Sequence, residues 1–501
     1  MTDEEAIQLK QAFADLQQAF LSLKEEVAQK DRRIEELEAL LMRALLRNDE
    51  LERRLAKDSH NSSKPPSSDG LKHKPKPHQK KSKPSGGQPG HPGRALQHVE
   101  KPDEVITHRP KRCEACQHEL GAIAGQLNER RQIHELPELR LRVIEHQVEA
   151  ICCPACQHLT TARFPVGVDA PAQYGPQMQA LAVYLSQFQL LPMERIQELC
   201  VDLFGCQLSE GTLANWLAEA ARTLEPTMLH LKQVLGWSRV THVDETGARI
   251  KGLLHWFHIT ATPWLTFYAW HRKRGQEAMN TIGILPDYRG RLIHDRWISY
   301  DGYACKHSLC GAHLLRDCLW VAEHDKQPWA QTMYELLLRM RQATDHWRES
   351  GAKALPKAQR DELVLQYFEI LTQGYVAQRA RIPTSTAPPS ETSSSPKKQG
   401  RPKQTDAKNL LDALLKRAEQ VLAFLDDLSV PFTNNQAERD LRMIKVQQKI
   451  SGTFRSEKGA TAFCAIRSYL STMRKQGRSM LAAMAAVFDG SPFPIAWEPG
   501  A

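Results

Sequence analysis

The stretch SRVTHVDETGARI, residues 238–250, carries a lone acidic pair, Asp244 and Glu245, flanked by the β-branched residues Val240, Thr241 and Val243. β-Branched residues suit a pleated surface, so the stretch reads as a strand. Two more strand patterns follow at 253–260 and 265–270, with short Gly- and Pro-marked turns between them, as in an antiparallel meander. A single carboxylate on such a strand is more often a solvated strand end than a ligand. A second carboxylate, Asp295, closes the short apolar run Arg291-Leu-Ile-His294. Residues 275–285 read as a helix and His307-Ser-Leu-Cys310 as a further strand. In this α/β order the first and fourth strands can lie side by side, which brings Asp244 and Asp295 within reach of one metal ion. Asp301, slightly further on, competes for the second place.

A second constellation is made of cysteines. Cys113-Glu-Ala-Cys116 and Cys153-Pro-Ala-Cys156 are two CxxC turns separated by a stretch able to form strands, Arg140-Leu-Arg-Val-Ile144. Two such turns supply the four thiolates of a tetrahedral zinc ribbon, where the metal substitutes for a core too small to hold itself. Four protein sulfurs leave no open position for water, so the expected role is structural. Cys152 adjoins Cys153 but has no partner at the right spacing. No apolar run approaches the roughly 20 residues that span a bilayer, and the start Met-Thr-Asp-Glu-Glu lacks the pattern of a signal peptide. A cytoplasmic location is expected, in which the 11 cysteines stay reduced.

The remaining chain supplies elements to position these groups and to hold a partner. The net charge of +9 points to a polyanion. Residues 9–55 follow a heptad pattern: Phe13, Phe20, Val27, Ile34, Leu41, Asn48 and Leu55 at a, and Leu9, Leu16, Leu23, Lys30, Leu37, Ala44 and Leu51 at d. β-Branched a positions, mostly Leu at d, and one Asn at a favour a parallel two-stranded coiled coil. The following stretch is rich in proline, glycine and lysine, with Lys74, Lys76, Lys80 and Lys81 among its cations, a composition that stays disordered and suits phosphate contacts. A helix over 193–204, Gly205, and Ser209 as N-cap of the next helix read as a helix-turn-helix, with Ser209, Thr212 and Asn215 placed to touch DNA. Long helices fill 317–428. Glu438 then follows a loop into a helix whose N-terminal end favours a carboxylate, ahead of the cations Arg439, Arg442, Lys445 and Lys449.

Taken in order, Asn61-Ser-Ser-Lys-Pro-Pro-Ser-Ser-Asp-Gly70, the CxxC pairs, His242-Val-Asp-Glu-Thr-Gly247, His294-Asp-Arg-Trp297, Cys310-Gly-Ala-His-Leu-Leu-Arg316, Pro431-Phe-Thr-Asn-Asn-Gln-Ala-Glu-Arg439 and Gln448-Lys-Ile-Ser-Gly452 resemble the IS66 family of insertion-sequence transposases, TnpC type. The resemblance covers nearly the whole chain. It implies a multidomain α+β protein with a ribonuclease-H-like catalytic core of the DDE kind, interrupted by a helical insertion, with Asp244, Asp295 and Glu438 as its acids. The expected organisation is a coiled-coil dimerisation helix (1–58), a basic disordered linker (59–108), the zinc ribbon (109–165) and the helix-turn-helix region (170–232). The core begins at 236–316, is interrupted by the insertion at 317–428 with a flexible loop at 383–408, and ends at 429–480 before a C-terminal tail, 481–501. The basic run 397–403 in that loop resembles a minor-groove finger.

The implied activity is cleavage at element ends and strand transfer into target DNA, using Mg²⁺ or Mn²⁺ held by the three carboxylates. Water attacks first and frees a 3′-OH, which then attacks the target by in-line displacement. Implied partners are double-stranded DNA (terminal inverted repeats and target), a second copy of the chain, and helper proteins of the same element, in a nucleoid-associated setting. His313 and Arg316 are candidates to orient the scissile phosphate, and His242 and Glu245 to support the ligands. Rival readings are a non-catalytic DNA-binding regulator and a metal nuclease without strand transfer. Metal analysis of the purified protein is expected to give about one zinc per chain; folded protein free of metal contradicts the ribbon.

Overall fold

The computed structural model describes residues 3–56, 96–380 and 404–496. The chain is mixed α+β, with fourteen α-helices and seven strands among the described residues. Helix α1 (Asp3–Ala56) runs unbroken for 54 residues. Its heptad residues Phe20, Leu23, Val27, Ile34, Leu37 and Leu41 are all at least half exposed. Lysines 74, 76, 80 and 81 and the basic run 397–403 lie outside the described residues.

Strands β1 (Ala150–Cys152) and β2 (Leu159–Thr161) pair antiparallel around the second CxxC turn. The strand expected at 140–144 does not form. Val143 and Ile144 stand exposed there, so neither a paired strand nor a buried face fixes an extended register. Four helices follow: α2 (Pro176–Gln187), α3 (Met193–Phe204), α4 (Glu210–Thr223) and α5 (Glu225–Trp237). Gly205 ends α3 in the left-handed region at φ 64°. Ser209 begins α4 by accepting the Thr212 N–H on its hydroxyl.

The sheet is built from β3 (Val240–Ile250), β4 (Leu253–Ala261), β5 (Thr266–His271), β6 (Arg291–His294) and β7 (Lys306–Leu309), in the order β5-β4-β3-β6-β7. The first three strands form the antiparallel meander, while β6 lies parallel to β3, and β7 to β6. The first and fourth strands of the sheet are therefore neighbours, as the α/β order required. The β3–β4 turn is the pair Lys251-Gly252, both at positive φ (52° and 80°), the backbone twist that a two-residue hairpin needs. Helix α6 (Gln276–Ile282) and a 3₁₀ turn (Ile298–Gly302) fill the crossovers.

Where the helical insertion is expected, the chain forms α7 (Gly311–His324), α8 (Pro328–Glu349), α9 (Lys357–Ala380), α10 (Asp406–Lys416) and α11 (Ala418–Asp426). It is not an appendage. Ile293 of β6 and Leu309 of β7 belong to the same hydrophobic cluster as Trp320, Met333, Tyr367, Leu411 and Phe424. The loop expected to run to 408 instead meets α10 at Asp406, because the Thr405 hydroxyl accepts the Lys408 N–H as an N-cap.

The chain returns with α12 (Asn435–Ser451), which packs Ala437, Leu441 and Ile444 on Ile250, Phe257 and Ile259 of the sheet. Helix α13 (Glu457–Lys475) lies against β5 and α4. The expected C-terminal tail contains a further helix, α14 (Met480–Phe488), which buries Ala483, Met484 and Val487 in the cluster that also holds α2. A run as apolar as MLAAMAAVF loses too much by staying in water to be a tail.

One close approach joins insertion and core. A Cβ on Gly311 would meet the Phe432 ring at 2.2 Å, and the Gly311 N–H donates to the Phe432 carbonyl at 2.8 Å. Gly311→Ala is expected to lose about 1–3 kcal/mol of stability by overpacking, measured by denaturant unfolding. A wild-type midpoint contradicts this contact.

Candidate active site

The parallel register decides where the first two acids meet. β3 and β6 pair Val240↔Arg291, Thr241↔Leu292 and His242↔Ile293. Asp244 and Asp295 each lie two residues beyond the last pair, so neighbouring strands, about 4.8 Å apart, bring them to one level. This is the carboxyl end of the parallel strands, where α/β sheets bind ligands. Asp244 accepts the Glu245 N–H at 2.9 Å, and Asp295 accepts the Trp297 N–H at 2.9 Å.

Glu438 arrives from the far side of the insertion, in the first turn of α12. The loop before it is pinned at Asn434, the residue at the N-cap position. Its side chain makes no capping bond to α12. The amide Nδ2 instead donates to the Val243 carbonyl at 2.8 Å, and Oδ1 pairs with His242 Nδ1 at 2.9 Å. Since the amide donates to Val243, its oxygen is the acceptor and His242 carries the proton on Nδ1. Burial holds the His242 imidazole at a pKa of about 4, so it is neutral at pH 7. The Asn434 N–H also donates to the Cys310 thiol sulfur at 3.2 Å. Glu438 Oε1 then lies 3.8 Å from Cys310 Sγ and 3.7 Å from His313 Nδ1.

The three acids act on one another. Burial first, and then the charges of Glu245, Asp295 and Glu438, push the Asp244 carboxyl well above the ordinary carboxylate range; only the Glu245 N–H opposes them. Glu245 sits in a separate, fully partnered niche. Its carboxylate accepts Nε and Nη2 of Arg274 at 3.0 and 2.6 Å and the Tyr300 hydroxyl. The Arg274 guanidinium is stacked between Trp256 and Trp297, 4.8 and 4.2 Å from the ring centres. Glu245 is thus engaged on both oxygens, by Arg274 on Oε1 and by Tyr300 on Oε2, beside Asp244.

Asp301 is exposed and paired with Arg417 at the α10–α11 break. It groups with His294 and His307, and it is not among the charges acting on Asp244. Arg316 lies on α7, partly exposed, one turn past His313.

The cysteines form two turns of the same shape. Cys113 and Cys153 each donate their N–H to the carbonyl five residues on, at 2.9 Å, while Gln117 and Gln157 adopt positive φ. N–H groups within each turn point at the first sulfur and lower the pKa of Cys113 and Cys153, through Cys116 and Cys156 respectively. Among the described residues, the clusters of three or more metal-capable side chains are His294–Asp301–His307 and Cys310–His313–Glu438; neither the four cysteines nor Asp244, Asp295 and Glu438 are gathered within 4.8 Å of one another.

Of the residues expected to touch DNA, Asn215, Arg439, Arg442 and Lys449 are exposed. Ser209 and Thr212 are occupied by the α4 cap, with their hydroxyls 2.9 Å apart. Lys445 is turned inward, donating to the Gly247 carbonyl, and its burial lowers its pKa. The sequence reading overlooked Asn434, Arg274 and Tyr300. Asn434 stood inside a quoted motif, but nothing in the spacing links Arg274 or Tyr300 to Glu245.

Because the folded state raises the Asp244 pKa, the folded protein holds a proton that the unfolded chain releases. The resulting cost is absent below the ordinary aspartate pKa and grows as pH rises through the raised one. Asp244→Asn is therefore expected to raise the melting temperature of metal-free protein by a few degrees at pH 7 and to have no such effect near pH 3. A neutral or destabilising effect at pH 7 contradicts the crowding of charge.

Comparison with known proteins identifies a family. The family model described as transposase IS66 family matches residues 171–462. A family of unknown function, DUF6444, matches residues 8–97. The uncharacterized protein y4hP of Sinorhizobium fredii (strain NBRC 101917 / NGR234) is 22% identical over 408 residues, covering 74% of this chain and 69% of the relative. With more than half of its length matched by that model, the chain belongs to the transposase IS66 family.

Proposed function

We propose that the protein is a DNA transposase of an insertion sequence, in which Asp244, Asp295 and Glu438 hold divalent metal ions, Mg²⁺ or Mn²⁺, at the scissile phosphate. The observation that carries the reading is the placement of Asp244 and Asp295 at one level, at the carboxyl end of β3 and β6, with Glu438 in the first turn of α12, which packs on the same sheet. The meander followed by two parallel strands supports a ribonuclease-H-like core. Three carboxylates without a local counter-cation are a donor set for a hard cation. When bound, such ions supply charge neutralisation at the attacking and leaving oxygens of an in-line phosphoryl displacement.

The chain's own residues do the rest. The Asn434–His242 clasp fixes the distance from β3 to the helix that carries Glu438. Arg274 and Tyr300 keep Glu245 from adding an unpartnered charge beside Asp244. His313, in the first turn of α7, lies 3.7 Å from Glu438 and is placed to hold it or a phosphate oxygen.

The outlying modules complete the reading. The exposed heptad stripe of α1 pairs with a second copy, and Cys113, Cys116, Cys153 and Cys156 bind one zinc once the two turns close on it. The α3–α4 unit, Asn215, the exposed cations of α12 and the lysines at 74–81 hold double-stranded DNA of the element ends and the target.

Asp244→Asn, Asp295→Asn and Glu438→Gln are each expected to reduce Mg²⁺-dependent cleavage and joining by at least about a hundredfold, roughly 2.7 kcal/mol of transition-state stabilisation, while duplex binding in a gel-shift assay persists. Three variants that transfer strands at the wild-type rate overturn the assignment.

A further inference from the structure

The far end of β3 carries a feature that the catalytic reading does not use. Beyond α12 the chain comes back to the β3–β4 hairpin and adds a short parallel bridge, Ile250↔Phe454. The Lys251 N–H donates to the Phe454 carbonyl at 2.9 Å, and the Phe454 N–H to the Arg249 carbonyl at 3.1 Å. Ile250 and Phe454 point inward, and the Phe454 ring stacks on Phe257 with centroids 5.1 Å apart. Side chains alternate along extended chain, so the residues flanking this buried pair are thrown outward. They are Arg249, Lys251, Thr453 and Arg455, all exposed.

Three of these four are cations, on a rigid support. Lys251 occupies a left-handed position at φ 52°, which L-residues other than Asn and Asp seldom take. Lys458 follows in the first turn of α13. Two acids face the patch: Glu457, bonded to Arg272 at 2.9 Å and also near Lys251, and Glu210, 3.7 Å from an Arg455 side chain that is 87% exposed. Arg249 donates one N–H to the Gly252 carbonyl at 2.6 Å.

The patch lies at the hairpin end of β3, and Arg249 stands on the face opposite Asp244, which shares the face of Ala248 and Ile250. We infer that Arg249, Lys251 and Arg455 form a phosphate-backbone contact for duplex DNA. This rests on the transposase reading and adds a sequence-independent anchor beside the sheet itself, apart from the N-terminal modules.

The test is fluorescence anisotropy of the full-length protein on a labelled 30-base-pair duplex of mixed sequence, as a function of salt. The variant is Arg249→Ala/Lys251→Ala/Arg455→Ala, and the control is Lys353→Ala/Lys357→Ala, two exposed cations in and just before α9. Each lost phosphate contact lowers the slope of log K against log salt by about 0.9, so the triple variant is expected to lose about 2.7 from the slope. The control keeps the wild-type slope, and both variants keep the wild-type melting temperature. A triple variant with wild-type slope and affinity overturns the inference, as does a control that loses as much as the triple variant. Wild-type protein that fails to bind the duplex at all overturns the transposase reading as well.

Discussion

The constraint on which the rest depends is the burial of a carboxylate among other acids. Burial, and then the charges of Glu245, Asp295 and Glu438, push the Asp244 carboxyl well above the ordinary range. Like charges at close range separate unless the backbone prevents it, so the surrounding structure has to be rigid. The parallel ladder holds the two aspartates at one level. The third acid is held by side-chain bonds from Asn434 to β3, by its N–H on Cys310, and by the Phe432 ring seated over Gly311. In the proposed reading a divalent cation would offset this crowded negative charge, so the site would cost stability without one.

The helical insertion takes on a different role in this light. It interrupts the core before the third acid, yet its helices share one hydrophobic cluster with β6 and β7. Gly311 begins its first helix, Phe424 near the end of its last helix packs edge-on against Phe432 at 4.9 Å, and Arg417 in its middle grips Asp301 behind the second acid. The insertion is therefore the frame that sets where the chain re-enters the site, and damage far out in it should be felt at Glu438.

Much of this was legible in the sequence for physical reasons. Period-two apolar runs around Asp244 and Asp295 gave the strands, and their order gave the neighbours. The Ser209 cap and the Gly205 terminus mark helix ends by local chemistry, whereas the Thr405 cap was missed and the loop was run on to 408. What escaped depends on long-range contacts. The partners of Glu245, Arg274 and Tyr300, come from a later loop and a 3₁₀ turn, and no local pattern announces that they converge. The strand expected at 140–144 failed because β-propensity needs a neighbouring strand or face to act on. The C-terminal helix was missed because its apolar residues were read by their position in the chain, although α2 was available to bury them. Lys445 shows the opposite error, a cation assigned to DNA by its type that the fold turns toward the Gly247 carbonyl.

The central claim is that three carboxylates from β3, the end of β6 and α12 hold a divalent cation. The most direct measurement is anomalous diffraction from crystals of the protein grown with Mn²⁺. The account predicts a manganese peak bounded by Asp244, Asp295 and Glu438. A peak among His294, Asp301 and His307 instead, or well-ordered carboxylates with no manganese between them at millimolar concentration, contradicts it.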